Sequence, residues 1–344
     1  METLRILARL FWPFGLLVLA VSACGGVKGS SDVLRLGYFA NITHAPAILG
    51  VDQGFFEEAL GPGIRLEVVT FSSGPEAVEA LFSGSVDATF VGPNPAISGY
   101  QKSEGDALRV VAGTTSGGAS LVVREGINSV AALDGATLAT PSLGNTQDVA
   151  LRSWLADQGF KTDTSAGGDV SIRPQENADT LTAFIDGQID GAWVPEPWAT
   201  RLVLEGDGNV LIDETELWPA GRFVTTHLVV GREYLAKFPA NIEKLIDGLI
   251  TTLEWIATND TDAATAVNRG IKEITSKELK PETIKRAWSN LSFTYDPIAS
   301  SLERCKDNAV AVGLLDPVDL DGIYDLSLLN SVLKKRGLEE IGVK

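Results

Sequence analysis

The chain is poor in the side chains that bind metals or cross-link a fold. It contains two cysteines and two histidines among 344 residues. Cys24 lies in the N-terminal segment, so Cys305 is left as one unpaired thiol. One thiol and two histidines provide neither a disulfide framework nor a zinc cluster. We therefore expect no metal site, no disulfide and no other cofactor.

Positive charge is also scarce. Lys and Arg number 28 against 45 Asp and Glu, which gives a formal net charge of −17 at pH 7. Nucleic acids bind basic surfaces, so this composition argues against them as partners. It suits a soluble, secreted carrier. An anionic ligand would have to be bound by local hydrogen-bond donors, because the overall field repels it.

Catalytic motifs are missing as well. The sequence has no G-x-x-x-x-G-K-[ST] loop, so it is not expected to hydrolyse ATP. It shows no Ser/His/Asp spacing and no paired carboxylates in a pocket context. Cys305 is flanked by Leu302 and Ala309 at helical spacing and is interpreted as a small buried hydrophobe. The sequence therefore favours a binding protein over an enzyme.

The N-terminal apolar run is too short for a membrane span. Arg5 and Arg9 precede the apolar residues 10–20, whereas a span needs about 20 residues. This arrangement is typical of a secretory signal segment. The next residues, V-S-A-C ending at Cys24, resemble the lipobox of bacterial lipoproteins, which implies cleavage after residue 23 and lipidation of Cys24. Residues 24–32 would then form a flexible tether.

What the chain does contain is an internal repeat. Residues 80–96 read ALFSGSVDATFVGPNPA, residues 183–199 read AFIDGQIDGAWVPEPWA, and the two align without a gap. In each copy an apolar helix end stops at a glycine, Gly84 or Gly187, and a short buried strand follows. A loop rich in Gly, Pro, Asn, Glu and Trp begins where the strand ends. Each copy is predicted to be the same helix–strand unit.

The repeat indicates where a ligand would bind, because ligands of open α/β sheets sit outside the carboxyl ends of the strands. Two such ends favour two lobes that face one cleft. The alternative is chance similarity, since α/β proteins reuse this pattern. Residues 113–118 are glycine-rich and lie between two predicted strands. They suit either a flexible hinge between lobes or an ordinary hairpin loop.

Two polar clusters follow predicted strands in the first part of the chain, and each precedes a helix. They comprise Asn41, Thr43 and His44 after the strand at 33–38, and Ser72, Ser73 and Gly74 after the strand at 64–71. Helix N-termini favour anions, because they carry free backbone N–H groups and the positive end of the dipole. Capping is an equally good interpretation of Asn41 and Thr43, and a solvated loop residue is the alternative for His44.

Two more clusters follow predicted strands in the middle of the chain. They comprise Ser142, Asn145, Thr146 and Gln147 after the strand at 136–140, and Trp193, Glu196 and Trp198 at the end of the second repeat copy. The first holds more donors than one helix cap requires, which favours ligand contact. In the second, the tryptophans could wall a pocket and Glu196 could pair with a ligand amine. Equally, Trp193 could belong to the core and Glu196 could be solvated.

Beyond residue 239 the pattern is helical. Apolar residues from Ile242 to Ile256 recur on one helix face. Further helices are predicted from Pro281 and over residues 297–312 and 326–333. We expect these helices to pack against the first lobe and to carry no chemistry of their own.

The loops in their order resemble a known family. The substrate-binding proteins of bacterial ABC importers in the nitrate/sulfonate/taurine group are similar to this chain in GYFANITHAPAILGVDQGFF, FSSGPEAVEALFSGSVDATFVGPNPAI, PSLGNTQDVALRSWL and GQIDGAWVPEPWATRL. The resemblance covers residues 34–230. It is specific to the family and much less specific to the ligand.

The resemblance implies an α/β, two-lobed periplasmic-binding-protein type II fold whose second lobe is inserted in the first. Lobe one would comprise residues 33–120 and 225–344, and lobe two residues 121–224. The ligand would lie among the four polar clusters together with Gly92 and Asn94. The protein would deliver a small anion to a membrane permease driven by a separate ATPase. We expect a monomer, tethered by lipid at the outer face of the cytoplasmic membrane.

A sulfonate or taurine-like compound is the favoured ligand. Neutral donors and helix N-termini hold an anion without a buried counter-charge. An aromatic side chain would cover its apolar part: Phe90, Trp193, Trp198 or Phe223. Glu196 would favour taurine if it points inward. Nitrate or bicarbonate is disfavoured, because no Lys or second His lies at these loops and Arg222 is the one nearby cation. The alternatives are a pyrimidine or aromatic carboxylate as ligand, and a sensor lipoprotein that presents its ligand to a receptor.

Replacing Cys24 by serine should release the protein from the membrane fraction, because the serine hydroxyl cannot accept the thioether-linked lipid. Fractionation of cells followed by immunoblotting measures this directly. Cys305→Ser is the matched control and should stay with the membranes. A Cys24→Ser protein that still sediments with the membranes would contradict the lipobox interpretation.

Overall fold

The structure is a computed structural model that describes residues 32–342. The predicted signal segment, Cys24 and the tether up to residue 31 lie outside the described residues. Over residues 32–342, helices that combine the length and apolar character needed to cross a bilayer are absent.

The strands fall into two sheets. In chain order they are β1 Val33–Phe39, β2 Arg65–Phe71, β3 Ala88–Val91, β4 Leu108–Gly117, β5 Ala119–Val123, β6 Thr137–Thr140, β7 Ser171–Pro174, β8 Gly191–Pro195, β9 Asn209–Asp213, β10 Val224–Gly231 and β11 Leu291–Phe293. The first sheet has six strands in the order β11-β4-β10-β3-β1-β2, and the second has five in the order β7-β6-β8-β5-β9.

Parallel strands form one half of each sheet. In the first sheet β1 is parallel to β2 and β3, while β10 is antiparallel to β3 and β4. In the second, β6 is parallel to β7 and β8, while β5 is antiparallel to β8 and β9. Because parallel strands end at the same edge, each sheet gathers its strand-end loops on one side.

Helices cover the sheets. In chain order they are α1 Ala45–Asp52, α2 Phe55–Leu60, α3 Gly74–Phe82, α4 Pro93–Lys102, α5 Thr146–Asp157, α6 Asn177–Ile185, α7 Trp198–Glu205, α8 Arg232–Lys237, α9 Pro239–Thr258, α10 Asp260–Thr275, α11 Pro281–Ser289, α12 Ala299–Ala311 and α13 Ser327–Lys335. The predicted C-terminal helices are confirmed, and α9 buries Ile242, Leu249 and Ile256 in one core with Leu36 and Phe90 of the first sheet.

The second sheet is inserted in the chain of the first. The chain passes from β4 to β5 through Gly117 and Gly118, whose φ angles of 80° and 72° lie in the left-handed region that favours glycine. It returns between β9 and β10. The structure therefore has the predicted two-lobed α/β architecture. The expected boundary between residues 120 and 121 would divide β5, which runs from Ala119 to Val123. The exact limits of the two lobes stay a prediction.

The flexible loop predicted at residues 113–118 is not what the structure shows. Residues 113–117 are the buried end of β4, and a Cβ on Gly113 would lie 2.1 Å from the carbonyl oxygen of Asp296. The glycine there makes room for a close backbone approach. At this point the Gly117–Gly118 pair alone connects the lobes. The sequence did not reveal this, because small side chains by themselves do not distinguish a tight strand contact from a hinge.

The two repeat copies are the same structural unit. Gly84 and Gly187 both end a helix with φ angles of 70° and 74°. Asp87 accepts a hydrogen bond from the backbone N–H of Arg35 in β1, and Asp190 accepts one from the N–H of Thr137 in β6, each at 2.8 Å. In both lobes the aspartate thus ties the repeat strand to its parallel neighbour, which explains why this residue is identical in the two copies.

The two aspartates differ in burial, and this predicts different effects on stability. Asp87 and its ion-pair partner Arg35 are 4% and 11% exposed, whereas Asp190 and Arg124 are 38% and 33% exposed. Asp87→Ala leaves a buried guanidinium without its carboxylate and should lower the free energy of unfolding by about 3–5 kcal/mol. Asp190→Ala should cost about 1 kcal/mol.

Urea denaturation of both variants measures the difference. Each variant loses one backbone N–H acceptor, so Asp190→Ala is the control that isolates the buried charge. Equal losses, or a larger loss for Asp190→Ala, would contradict the structural account.

Candidate ligand-binding site

The strand-end loops of the two sheets enclose a cavity of about 40 Å³. We call it the polar cavity. The first lobe supplies Phe39, Asn41, Thr43, His44, Ser72, Ser73, Gly74, Gly92, Pro95, Thr225 and Thr226, and the second supplies Pro141, Asn145, Thr146, Gln147, Asn177 and Pro195. Loops that lie far apart in sequence therefore meet at one point between the lobes.

The polar cavity is uncharged. Among the described residues that line it there is no Lys, Arg, Asp or Glu, and His44 is the one titratable side chain. Groups of three or more His, Cys, Asp or Glu able to hold a metal ion are absent from residues 32–342. Any ion held here would have to be bound by neutral hydrogen-bonding groups and helix ends.

The N-terminus of α5 points its first turn at the polar cavity. Asn145 is the cap residue, and its side-chain oxygen accepts from the N–H of Asp148 at 2.9 Å. Thr146 and Gln147 follow in the first turn and line the cavity. The first N–H groups of a helix lack partners within the helix, and the dipole there favours negative charge. Asn145 alone serves as the cap of α5, and ligand contact by Thr146 and Gln147 stays a prediction.

Asp148 holds the loop in front of α5 in place. Its carboxylate accepts from Thr140 Oγ1 (2.8 Å), the N–H of Gly144 (2.9 Å) and Arg152 Nε (3.0 Å). Asp148 and Arg152 are almost completely buried. The loop from the end of β6 to the start of α5 is therefore fixed by an ion pair that does not itself line the polar cavity.

His44 provides a neutral donor. Its ring lies 4.4 Å from the ring of Phe39, and its Nδ1 accepts from the N–H of Phe39 at 3.4 Å. With Nδ1 as acceptor, the proton of the neutral ring is assigned to Nε2. Burial lowers the pKa of His44 to about 3. The imidazole is thus uncharged at physiological pH, and the prediction of a solvated loop histidine is wrong.

Threonines of β10 form part of the cavity wall. Thr226 Oγ1 donates to the carbonyl of Thr43 (3.0 Å), and Thr225 Oγ1 donates to the carbonyl of Gly117 (2.5 Å). The register of β10 against β4 is interrupted at this point. These bonds attach two segments to β10: the loop that contains Thr43, and Gly117, where the chain passes to the second lobe. The cavity wall is therefore continuous with the connection between the lobes.

The lobes are in close contact around the polar cavity. A Cβ on Gly92 would lie 2.5 Å from Thr146 Oγ1, so glycine is required for this approach of the two lobes. Trp198 Nε1 of the second lobe donates to Asn41 Oδ1 of the first at 2.9 Å. The structure is therefore that of a closed cleft.

Sequence reasoning missed seven of the described lining residues. They are Phe39, Pro95, Pro141, Asn177, Pro195, Thr225 and Thr226. Phe39, Pro95, Pro141 and Pro195 flank clusters or strand ends named above, and Asn177 begins α6 just after β7, so strand-end position could have included all five. The two threonines could not be found in this way, because they lie at the beginning of a strand and not at its carboxyl end.

Trp193 and Trp198 do not line the polar cavity. Trp193 is fully buried in the second lobe, where its indole N–H donates to Glu214 at 2.8 Å and its ring meets that of Trp154 edge-on. Trp198 reaches across the cleft to Asn41 instead. The other aromatic residues expected over the ligand are also core residues: Phe90 and Phe223. The aromatic cover predicted for the ligand therefore has no support in the structure.

Glu196 does not line the polar cavity either. Its carboxylate accepts from the N–H and Oγ1 of Thr200, both at 3.0 Å, and from Asn290 Nδ2 at 2.7 Å. Burial raises the pKa of Glu196, and these hydrogen bonds oppose the rise. The carboxylate thus binds Thr200 in the first turn of α7 and, through Asn290, links the second lobe to the first. The structure gives no support to the expectation that it pairs with a ligand amine.

Asn94, Ser142 and Arg222 lie outside the polar cavity as well. Asn94 Nδ2 donates to the carbonyl of Cys305 at 3.1 Å, within the first lobe. Ser142 is two residues before Gly144, and its Oγ is buried without a hydrogen-bond partner. Arg222 forms an ion pair with Asp296 at 3.0 Å and is 58% exposed. Arg222, the cation that could have changed the choice of ligand, is therefore paired with Asp296 outside the polar cavity.

Two α/β lobes, one inserted in the other and closed over a polar cavity at their strand ends, define the periplasmic-binding-protein type II fold. The chain belongs to the NMT1-like family, whose sequence profile matches residues 28–269. The resemblance noted in the loop sequences is thereby confirmed at the level of the family.

Individual relatives agree with this assignment. The "Putative binding protein" of Brucella abortus (strain 2308) is 26% identical over 216 residues, which cover 62% of this chain and 63% of that protein. The chain thus spans less than two thirds of that relative's length. The "Putative aliphatic sulfonates-binding protein" of Bacillus subtilis (strain 168) is 21% identical over 339 residues, covering 93% of this chain and 97% of that protein.

Solved structures share the fold. The alkanesulfonate-binding protein SsuA from Xanthomonas axonopodis pv. citri, bound to MOPS, matches with a TM-score of 0.70 at 20% identity, covering 84% of this chain and 96% of that one. At this identity the match establishes the architecture and leaves the ligand to be argued from the site.

His44 should stay neutral as the pH falls from 7 to 5. Its pKa in the folded protein, about 3, lies below the ordinary value of 6.5, so protonation is resisted until well below pH 5. Histidine-ring ¹H–¹⁵N NMR spectra in a sulfonate-free buffer such as Bis-Tris should show the Nε2-protonated neutral form throughout. The chain has two histidines, so His44→Gln assigns the signal. An imidazolium signal from His44 at pH 5 would contradict the buried, Phe39-bonded ring.

Proposed function

We propose that the protein is an extracytoplasmic solute-binding protein that captures a small organic anion, a sulfonate, and delivers it to an ABC permease driven by a separate ATPase. The observation that carries this proposal is the polar cavity, which lies between two closed lobes and is lined by neutral groups around the N-terminus of α5. The relatives named for sulfonate binding support it, and so does the solved structure that holds MOPS, itself a sulfonate.

An uncharged site suits the anion of a strong acid when that anion must also be released. A sulfonate remains ionised at any physiological pH, so it needs donors and not a proton-accepting partner. Charge-assisted hydrogen bonds contribute roughly 1.5–3 kcal/mol each, and a few of them suffice for capture. A buried Lys or Arg would add a desolvated charge that stays behind when the ligand leaves.

Closure of the two lobes supplies the step that couples binding to delivery. Ligand contacts come from both lobes, so an occupied cavity favours the closed arrangement over an open one. The contact between Gly92 and Thr146 and the hydrogen bond from Trp198 to Asn41 are made only when the lobes meet. A permease would then recognise the closed form.

The role of a carrier is favoured over that of an enzyme. Cys305, the one cysteine among residues 32–342, is buried away from the polar cavity, and burial raises the pKa of its thiol. Its thiolate is therefore disfavoured, and nucleophilic chemistry has no candidate there. We also propose the lipid anchor at Cys24 and the monomeric state as part of this function. Glu196 gives no basis for a preference for taurine, because its carboxylate is hydrogen-bonded to Thr200 and Asn290.

Sulfonates should raise the melting temperature of the protein in a thermal-shift screen. A ligand at a hundredfold excess over its dissociation constant stabilises the native state by about 2.7 kcal/mol. The screen compares methanesulfonate and taurine with nitrate, bicarbonate, pyrimidines and aromatic carboxylates. A shift with sulfonates supports the proposal. A shift only with a pyrimidine or an aromatic acid would keep the carrier role and overturn the ligand.

Gly92→Val should weaken sulfonate binding at least about tenfold, because its side chain would be forced against Thr146 and would hold the lobes apart. Gly63→Val is the matched control, since a Cβ there meets no atom within 4 Å. Isothermal titration calorimetry measures both. Unchanged affinity in Gly92→Val would remove lobe closure from the binding step.

A further inference from the structure

Trp198 of the second lobe contacts an amide in the wall of the polar cavity from outside. Its Nε1 lies 2.9 Å from Oδ1 of Asn41, and both side chains are half-buried. Asn41 lines the polar cavity, whereas Trp198 does not. Although Asn41 precedes the helical turn Ile42–His44, its side chain does not cap that turn. The amide of Asn41 is therefore free of a capping role and is held by the indole.

The indole decides which end of the Asn41 amide is left for the polar cavity. An asparagine side chain has an acceptor end, the oxygen, and a donor end, the NH₂ group. Because an indole N–H can only donate, it has to face the oxygen. With Oδ1 bound to Trp198, Nδ2 keeps no hydrogen-bond partner within residues 32–342. Asn41 thus offers N–H donors, which is what an anion requires.

The same ordering of amide ends occurs within the second lobe. The backbone N–H of Asp148 can only donate, and it faces Asn145 Oδ1. Asn145 Nδ2 then donates to Gln147 Oε1 at 3.3 Å, which leaves the NH₂ group of Gln147 for a ligand. Asn177 also lines the cavity, but its Oδ1 is buried without a hydrogen-bond partner, so nothing fixes its orientation. Asn41 and Gln147 therefore present donors from opposite lobes.

Asn41 differs from Gln147 because its orienting partner belongs to the other lobe. Trp198 begins α7, and the guanidinium of Arg201 lies over its ring, 4.7 Å from the ring centroid. Arg201 is itself paired with Glu205 at 2.7 Å. The second lobe thus holds the indole in place by its own contacts. Separation of the lobes would break the bond to Asn41 and leave that amide free to rotate.

We propose that Trp198 is a positioning residue that turns the NH₂ group of Asn41 toward the ligand when the lobes close. This inference rests on the proposed function, since it takes an anion to occupy the polar cavity. In the open form the amide of Asn41 presents either end, and in the closed form it presents its donor end alone. Closure therefore completes the selectivity for an anion as well as enclosing it.

Two ligands of nearly the same shape test the proposal. Methanesulfonate presents only acceptor oxygens, whereas methanesulfonamide is neutral and carries an NH₂ group in place of one oxygen. Isothermal titration calorimetry on the purified full-length protein measures both dissociation constants, that of the sulfonamide by displacement with methanesulfonate. The readout is the dissociation constant of the sulfonamide divided by that of the sulfonate. A variant that merely loosens the closed form weakens both ligands and leaves this ratio unchanged.

Trp198→Phe should lower the ratio at least about fivefold, because phenylalanine has no N–H and the released amide of Asn41 can turn its oxygen toward the sulfonamide. Trp218→Phe is the matched control. The indole of Trp218 is also half-buried, donates to Glu214 at 3.4 Å and lies 4.8 Å from the guanidinium of Arg304. Because Trp218 does not line the polar cavity or contact Asn41, its variant should keep the wild-type ratio.

A double-mutant cycle tests whether Trp198 acts through Asn41. Asn41→Ala should itself lower the ratio, because it removes the donor. Adding Trp198→Phe to Asn41→Ala should then change the ratio by less than about twofold, since no amide is left to orient.

The outcomes separate this inference from the function on which it rests. A wild-type ratio in Trp198→Phe, with both ligands weakened, would mean that the indole only holds the lobes together and would overturn the proposal. A ratio that falls equally in Trp218→Phe, or that falls further when Trp198→Phe is added to Asn41→Ala, would overturn it too. In each of these cases the sulfonate carrier stands. Failure of the wild-type protein to bind methanesulfonate would overturn the proposed function itself.

Discussion

The proposed function depends on enclosing an anion with groups that carry no charge. An ion that leaves water loses its hydration, so each group around it has to be a donor already in position. Asn145 caps α5, Asp148 fixes the loop in front of it, and the N–H of Phe39 sets the tautomer of His44. Donors that are fixed before the ligand arrives need little further ordering, which lowers the cost of binding.

The cleft in turn depends on two equivalent strand units facing each other. Asp87 and Asp190 tie the repeat strands to their parallel neighbours, so that the loops of each sheet end at one edge. The glycine at position 92 lets the edges of the two lobes approach. The closed cleft leaves a small polar cavity lined by neutral groups from both lobes, and this cavity is the basis for the ligand class proposed.

Much of this could be predicted from the sequence, because it is encoded locally. Strand alternation, helix-ending glycines and polar clusters after strands located the loops of Asn145 and His44. Trp193 could not be placed, since β8 is buried on both faces and its pattern does not say which face meets the ligand. Thr225 was missed because its position depends on a contact between distant segments, the register of β10 against β4.

A crystal structure of the protein with methanesulfonate tests the central claim most directly. The account predicts sulfonate oxygens within about 2.7–3.2 Å of the first N–H groups of α5 and of His44 Nε2. A sulfonate group bound outside the polar cavity between the lobes would contradict it.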